Sequence, residues 1–365
     1  MSQRYDVAVI GTGVFGAWTA HFLDKAGKRV VLIDAHGPAN SRSSSGDESR
    51  ITRLAYGDDE LYSRWALESL PEWLALEQRS YQQLFHQTGV LTFSDDATQW
   101  VQKSVEVIRR IGGECELLSV GELSRRFPQI QFKPTESAVF EPNSGALMAR
   151  RAVQLLVEEL IRDGVEYRQQ SISAPVISNS IDIDADQYVF ACGPWLPKLF
   201  PDLLANYITP VRAEVFFLGT SPSTRQYDPP QMPTWIFMGD ENWDAYGIPD
   251  IENRGFKLAV DLIKQPADPD TMDRQPTAPY VAQMRDFVRD RFPGLANAPI
   301  VETRVCQYEN TRTHNYLVDQ HPQMKNIWLV GGGSGHGFKN GPALGKYVAG
   351  LLTRQSPLEP LLKLP

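Results

Sequence analysis

The chain has 365 residues, a formal net charge of −8 and a pI near 5.4, with 42% hydrophobic and 22% charged residues. That length exceeds one ordinary domain, and 8 Trp with 16 Phe argue against disorder. The acidic balance disfavours nucleic acid and anionic membranes as general partners, no apolar run approaches a membrane span, and three scattered cysteines (Cys115, Cys192, Cys306) give neither a disulfide framework nor a zinc spacing. A strand entered within five residues, with no cleavable signal pattern, leads us to expect a cytoplasmic protein.

Tyr5–Ile10 is a short apolar run rich in β-branched residues. It enters Gly11-Thr-Gly13-Val14-Phe15-Gly16, after which Ala17–Ala26 reads as a helix. Strand, glycine turn and helix together suit a dinucleotide. Gly11 permits the turn, Gly13 lets the backbone approach a pyrophosphate, and Gly16 lets the helix sit close to the strand. Arg29–Ile33 is a second apolar strand, and Asp34 ends it eighteen residues after Gly16. An acid there binds a ribose or caps a turn; as a ribose ligand it repels a 2′-phosphate, which favours FAD or NAD over NADP.

His36–Ser49 is a polar Gly/Ser/Pro-rich loop leading to Arg50 and Arg53, which would share a face if that stretch were helical. Such a pair is solvated or forms an anion site. Glu60–Gln78 has a helical pattern with a break or kink expected at Pro71. Val90–Phe93 reads as a strand, Thr98–Ile111 as a helix and Cys115–Leu118 as a strand-like piece with Cys115 as filler. Ser119–Glu122 is a capping box opening a short helix to Phe127. Ser137–Phe140 is another strand. Met148–Asp163 is the clearest helix, with Val153, Leu156, Val157, Leu160 and Ile161 on one side and Gly164 as its stop. Val165–Ser171 and Ile181–Asp184 fit strand positions, and the apolar run from Gln187 ends at Cys192-Gly193, whose carboxyl end should face the ligand crevice.

From about Tyr207 to Thr303 the pattern changes. Arg212–Gly219, Thr234–Gly239, Ala245–Ile248 and Gly255–Val260 are strands without intervening helices, which suggests a mostly antiparallel sheet. Alternation puts Lys257 on the face opposite Phe256 and Leu258, pointing to water or into a cavity, and composition alone favours water. Tyr280–Phe292 is an amphipathic helix, and Ile300–Tyr308 is a strand carrying Cys306. Asn326–Val330 then enters a glycine-dense loop, Gly331–Gly341, before a helix over Pro342–Leu352. This repeats the opening logic, so both ends of the chain should close over one cofactor. His336 in that loop is catalytic or simply bonded to backbone.

The expected fold is α/β plus α+β. A Rossmann-like FAD-binding domain (1–83, 138–208 and 305–365) is interleaved with a mostly antiparallel-sheet substrate domain (84–137 and 209–304).

Four stretches narrow the reading: GDESRITRLAYG (Gly46–Gly57), GFKL (Gly255–Leu258), RVCQY (Arg304–Tyr308) and GSGHGFK (Gly333–Lys339). With them, nearly the whole chain resembles the monomeric sarcosine oxidase and N-methyltryptophan oxidase branch of the D-amino-acid-oxidase-like flavoproteins. The resemblance implies FAD, bound covalently through its 8α-methyl group to Cys306, a residue that otherwise reads as buried and apolar. It implies cofactor contacts at Gly11, Gly13, Val14, Phe15, Gly16, Asp34, Ala35, Ser45, Arg50, Cys192 and Gly193. In the late loop they fall at Gly333, Gly335, His336, Gly337, Phe338 and Lys339.

The implied reaction oxidises a secondary (N-methyl or cyclic) amino acid or related amine to an imine, with O2 reduced to hydrogen peroxide and the protein acting as a monomer. By family position Arg53 and Lys339 hold the substrate carboxylate, Arg50 lies near the flavin ring, Tyr246 and Tyr308 line the pocket, and Lys257 assists O2. One departure is Asp261, where sarcosine oxidases place a histidine; it could pair with a substrate cation or face water, which puts sarcosine itself in doubt. Thr220–Asn253, with Trp235, Trp243 and Tyr246, also differs and could shape a pocket for a larger amine. The alternatives are a flavin amine dehydrogenase that uses a carrier other than O2, and a non-enzymatic nucleotide-binding protein.

Overall fold

The structure is a computed structural model that describes residues 4–95, 99–176, 182–239, 244–261 and 265–365, Asp261 by its backbone alone. Thr98, Ile181 and Trp243 lie outside the described residues.

Tyr5–Ile10 forms the expected strand, and both its faces are covered. Val7 and Val9 join a core with Trp18, Leu32 and Val330, while Ala8 and Ile10 join another with Ile33, Phe190 and Leu329. Burial on two sides explains the continuous apolar run. The strand sits inside a six-stranded sheet ordered Leu317–Gln320, Ile327–Gly331, Ala185–Phe190, Tyr5–Ile10, Val30–Asp34, Glu166–Gln169. All pairings are parallel except the edge strand Leu317–Gln320, which the sequence pattern did not reveal.

The helices Val14–Lys25 and Gly341–Leu352 pack together on this sheet. Gly11 takes φ +99°, and a Cβ there would lie 2.3 Å from the Ala191 carbonyl oxygen. A Cβ at Gly16 would lie 1.9 Å from the Gly11 oxygen, so only glycine lets the helix approach this turn. Gly16→Ala is expected to lose about 1–3 kcal/mol of stability and to weaken cofactor retention, read by thermal melts with and without added FAD.

The second half is an eight-stranded sheet. Ile300–Thr311 lies at one edge, followed by Ile208–Leu218, Phe256–Asp261, Asp244–Ile248 and Thr234–Met238. Val90–Ser94, Ser137–Glu141 and Glu116–Leu118 complete it. Its pairings are antiparallel apart from Thr234–Met238 with Val90–Ser94. The helix Ala278–Arg291 closes one face, where Trp235, Phe256, Phe287 and Phe292 pack ring against ring. Cuts at 138, 209 and 305 fall within strands of this sheet.

Several local expectations change. Arg50 lies in the strand Ser49–Thr52, which pairs with Gly145–Met148 in a small third sheet, and Arg53 follows it, so the two arginines do not share a helical face. Backbone partners far along the chain override the local pattern here. The helix Glu60–Ser80 runs through Pro71 without a break, held by Tyr62, Trp65, Trp73 and Leu76 in the core. Ile161 is 44% exposed and does not share the buried side of its helix with Val153 and Leu156. Asp182–Asp184 stay outside the strand, which begins at Ala185. Among the described residues, no helix is long and apolar enough to cross a membrane.

Candidate active site

A cavity of about 430 Å³ opens at the carboxyl ends of the parallel strands, where α/β sheets bind ligands. The first glycine turn supplies Gly11, Gly13, Val14 and Phe15 to its wall, and the next strand supplies Asp34 and Ala35. Ser45, Arg50, Cys192, Gly193 and Tyr308 also line it, as do Gly333, Gly335, Gly337 and Phe338 of the late loop. Gly16, Cys306, His336 and Lys339 are not among the residues that line it.

Asp34 accepts from the backbone N–H groups of Thr12 (2.8 Å), His36 (2.8 Å) and Gly37 (2.9 Å), so its carboxylate ties the glycine turn to its own loop while facing the cavity. Ser45 Oγ accepts from Val14 N at 3.1 Å and fastens the polar loop to the helix N-terminus. Cys192 is held near the Ile10 carbonyl, and burial pushes its thiol ionisation well up, with Asp34 and Glu309 adding to it. That fits an unreactive packing group.

Beside the cavity lies a buried charge cluster. Lys257 is 2% exposed, so the water-facing reading from composition is wrong. Its Nζ donates to Asp47 Oδ2, to the Ser49 carbonyl (2.8 Å) and to Ser49 Oγ (3.3 Å). Arg50 Nη1 donates to the same Asp47 oxygen at 2.7 Å, and Arg50 Nη2 donates to the Ser44 carbonyl at 2.7 Å and lies 3.5 Å from Cys306 Sγ. Burial alone would raise Asp47; Lys257 and then Arg50 outweigh it and hold the carboxyl well below the usual range. Lys257 moves down, because burial outweighs Asp47.

Tyr246 and Tyr308 meet at 3.1 Å between their hydroxyls, and burial pushes Tyr246 up. The backbone of Asp261 pairs in register with Asp244 at the end of the same sheet, and its side chain lies outside the described residues.

A second pair of cations flanks Tyr56. The Arg53 guanidinium sits 4.2 Å and Lys339 Nζ 4.7 Å from its ring centre. Arg53 Nη1 is buried without a hydrogen-bond partner, and Lys339 Nζ donates to the His336 carbonyl at 2.8 Å. Lys339 is pushed well down, by burial first and then by Arg53, with Glu141 opposing. His336 Nδ1 meets the hydroxyls of Tyr316 (3.0 Å) and Tyr56 (3.2 Å), and Nε2 meets the His314 carbonyl (3.0 Å). Burial, with Lys339 and Arg53, lowers it to about 3, so at neutral pH it is an uncharged fastener of the loop.

Comparison with known proteins agrees with this construction. Residues 6–351 match the family described as DAO, FAD dependent oxidoreductase. The chain belongs to that family. A monomeric sarcosine oxidase from Bacillus sp. (strain B-0618) is 29% identical, covering 96% of this chain and 93% of its own. An N-methyl-L-tryptophan oxidase from Yersinia pestis (strain Pestoides F) is 27% identical, covering 97% and 96%. The crystal structure of an L-proline dehydrogenase from P. horikoshii superposes with a TM-score of 0.83 at 20% identity, covering 99% and 96%, and shares the fold.

The residues present fit the FAD that the DAO family uses. A Cβ on Gly13 would have only Ser45 Oγ within 4 Å, at 3.4 Å, so this backbone is open to a pyrophosphate. Ser44 Oγ and Glu309 Oε2 are buried polar atoms without partners, and both residues line the cavity. Sequence reasoning assigned no role to Asp47, which lies inside a quoted motif three residues before Arg50, nor to Glu309, which directly follows Tyr308.

Proposed function

We propose that this DAO-family chain oxidises a secondary amino acid, N-methyl or cyclic, or a related anionic amine, to the imine. In this reading FAD is attached through Cys306 and electrons pass to O2, giving hydrogen peroxide. Bound FAD supplies the two-electron chemistry, and the protein supplies placement and charge.

The observation that carries the reading is the pair Arg53 and Lys339 around Tyr56. Two cations held within 4.7 Å of one ring, one with a buried unpartnered Nη1, form a receptor for a carboxylate. Tyr246 and Tyr308, joined through their hydroxyls, wall the amine side next to Arg50 and Cys306. Lys257 contributes a fixed positive charge from behind that wall. The six-stranded sheet takes every strand from 1–83, 138–208 and 305–365, which supports those ranges as the FAD-binding domain.

Arg53→Ala should raise KM for N-methyl and cyclic amino acids about 10- to 100-fold, the worth of a lost charged hydrogen bond. An amine without a carboxylate should be affected far less. Steady-state peroxide assays on both kinds of amine check this; an equal loss for both removes Arg53 from carboxylate binding. Flavin bleaching by amines without peroxide in air would turn the reading to a dehydrogenase.

A further inference from the structure

We propose that Glu309 is a proton-carrying cofactor ligand: in its neutral form the carboxyl donates from Oε2 to an acceptor on bound FAD, so the site takes up a proton when FAD binds. The inference rests on FAD occupying the cavity, as family membership requires, and adds a residue to that site.

Glu309 lies on the strand Ile300–Thr311, opposite Pro210 of the neighbouring strand. It is 7% exposed and lines the cavity. Alternation turns Cys306 and Tyr308 to one face of this strand, and Gln307 and Glu309 to the other. That other face meets the glycine turns. Cβ atoms placed on Gly193, Gly331 and Gly333 would each lie 3.4–3.5 Å from a Glu309 carboxyl oxygen. Oε1 accepts from Gly333 N at 3.2 Å, whereas Oε2 is buried without a partner. A carboxyl placed this way uses one oxygen as an acceptor inward and leaves the other for whatever fills the cavity.

The surroundings disfavour charge on this group. Phe15, Leu196 and glycine backbone pack near it, and among the described residues no cation pairs with it. The titratable group facing it is the Cys192 thiol, itself pushed up by burial, Asp34 and Glu309. Lys198, which also lines the cavity, is engaged by Asp268 and Asp270, and Arg42 lines the same cavity. Burial raises Glu309 to about 7, against the opposing Gly333 and Gly332 N–H groups. FAD brings a pyrophosphate into the same enclosure, so the ionised carboxylate opposes binding and the neutral acid favours it. The sign follows: affinity is full below the carboxyl's pKa and falls as pH rises through it.

The test uses the full chain carrying Cys306→Ala, freed of flavin by dialysis, a background that serves whether or not Cys306 carries the cofactor. FAD dissociation constants are measured by flavin fluorescence from pH 6 to 9, with FAD as the probe. With Glu309 intact, binding should weaken towards about tenfold per pH unit above neutrality. With Glu309→Gln, neutral at every pH, binding should be level across the range and as tight as that of the Glu309 protein at pH 6. Tight binding with no pH dependence when Glu309 is intact overturns the proposal while leaving FAD in place. An unchanged slope in Glu309→Gln assigns the proton elsewhere and overturns it too. Failure to bind FAD at any pH overturns both this proposal and the placement of FAD.

Discussion

Acid-precipitated Cys306→Ala protein should release its flavin completely into the supernatant, whereas the wild-type pellet should stay yellow. Cys306 lies in the edge strand Ile300–Thr311 of the eight-stranded sheet, opposite Ala213, and is 8% exposed. Its sulfur sits 3.5 Å from Arg50 Nη2, and Arg50 is pinned by Asp47 and by the Ser49 and Ser44 carbonyls. This fixed guanidinium would hold the sulfur in one position for attachment to bound FAD. Tyr308, two residues along the same strand, lines the cavity, so the sulfur is adjacent to the site. Removing one buried sulfur leaves the strand pairing intact, so Cys306→Ala protein should fold and can be purified with FAD. Flavin that stays with denatured Cys306→Ala polypeptide refutes the linkage.

Lys257→Met should slow reoxidation by O2 about 10²–10³-fold, the usual effect of losing one preorganised charge, while anaerobic reduction by substrate changes little. Lys257 is the most enclosed cation of the cluster, and its strand and three hydrogen bonds leave it one position. The variant should still fold, because Asp47 keeps Arg50 at 2.7 Å and is not stranded as an unpaired charge. pH provides a second reading. Burial lowers Lys257 despite Asp47, so its charge is lost below the ordinary lysine range. Wild-type reoxidation should therefore fall as pH rises through that shifted value, and the Lys257→Met rate should lack this fall. Stopped-flow measurements of both half-reactions decide it; an equal loss in reduction and reoxidation removes Lys257 from O2 activation.

What was legible along the chain was what short stretches determine. Gly16 must be glycine because of its contact with Gly11 inside one strand–turn–helix unit, and Gly11 because of its positive φ, so their spacing announced the turn. The apolar runs at Tyr5–Ile10 and Ile327–Gly331 announced buried parallel strands for the same reason. The errors occurred where a partner far along the chain decides. Lys257 looked like a solvent residue because Asp47, its partner, is 210 positions away. Arg50 and Arg53 kept a helical option because nothing nearby shows that Gly145–Met148 will pair with Ser49–Thr52. Pro71 allowed a break or a kink, and the helix continues through it with Trp65 and Trp73 buried.

The candidate site divides in the same way. Its glycine cradle could be derived from residues alone, whereas Cys306, Lys257, Arg53 and Lys339 came from the resemblance, since no periodicity marks an attachment cysteine or an anion clamp. Glu309 escaped both routes. A glutamate late in a strand has no local sign that one of its oxygens will be buried without a partner.

The central claim is that one FAD, held between the two glycine turns, takes electrons from an anionic amine gripped by Arg53 and Lys339. Its most direct test is anaerobic addition of N-methylated amino acids, pipecolate and proline to the purified yellow protein, followed at the flavin absorbance bands. Bleaching by at least one of them, with colour restored and peroxide formed on admitting air, is the expected result. A colourless protein that takes up no FAD, or a flavin that none of these amines reduces, would contradict the claim.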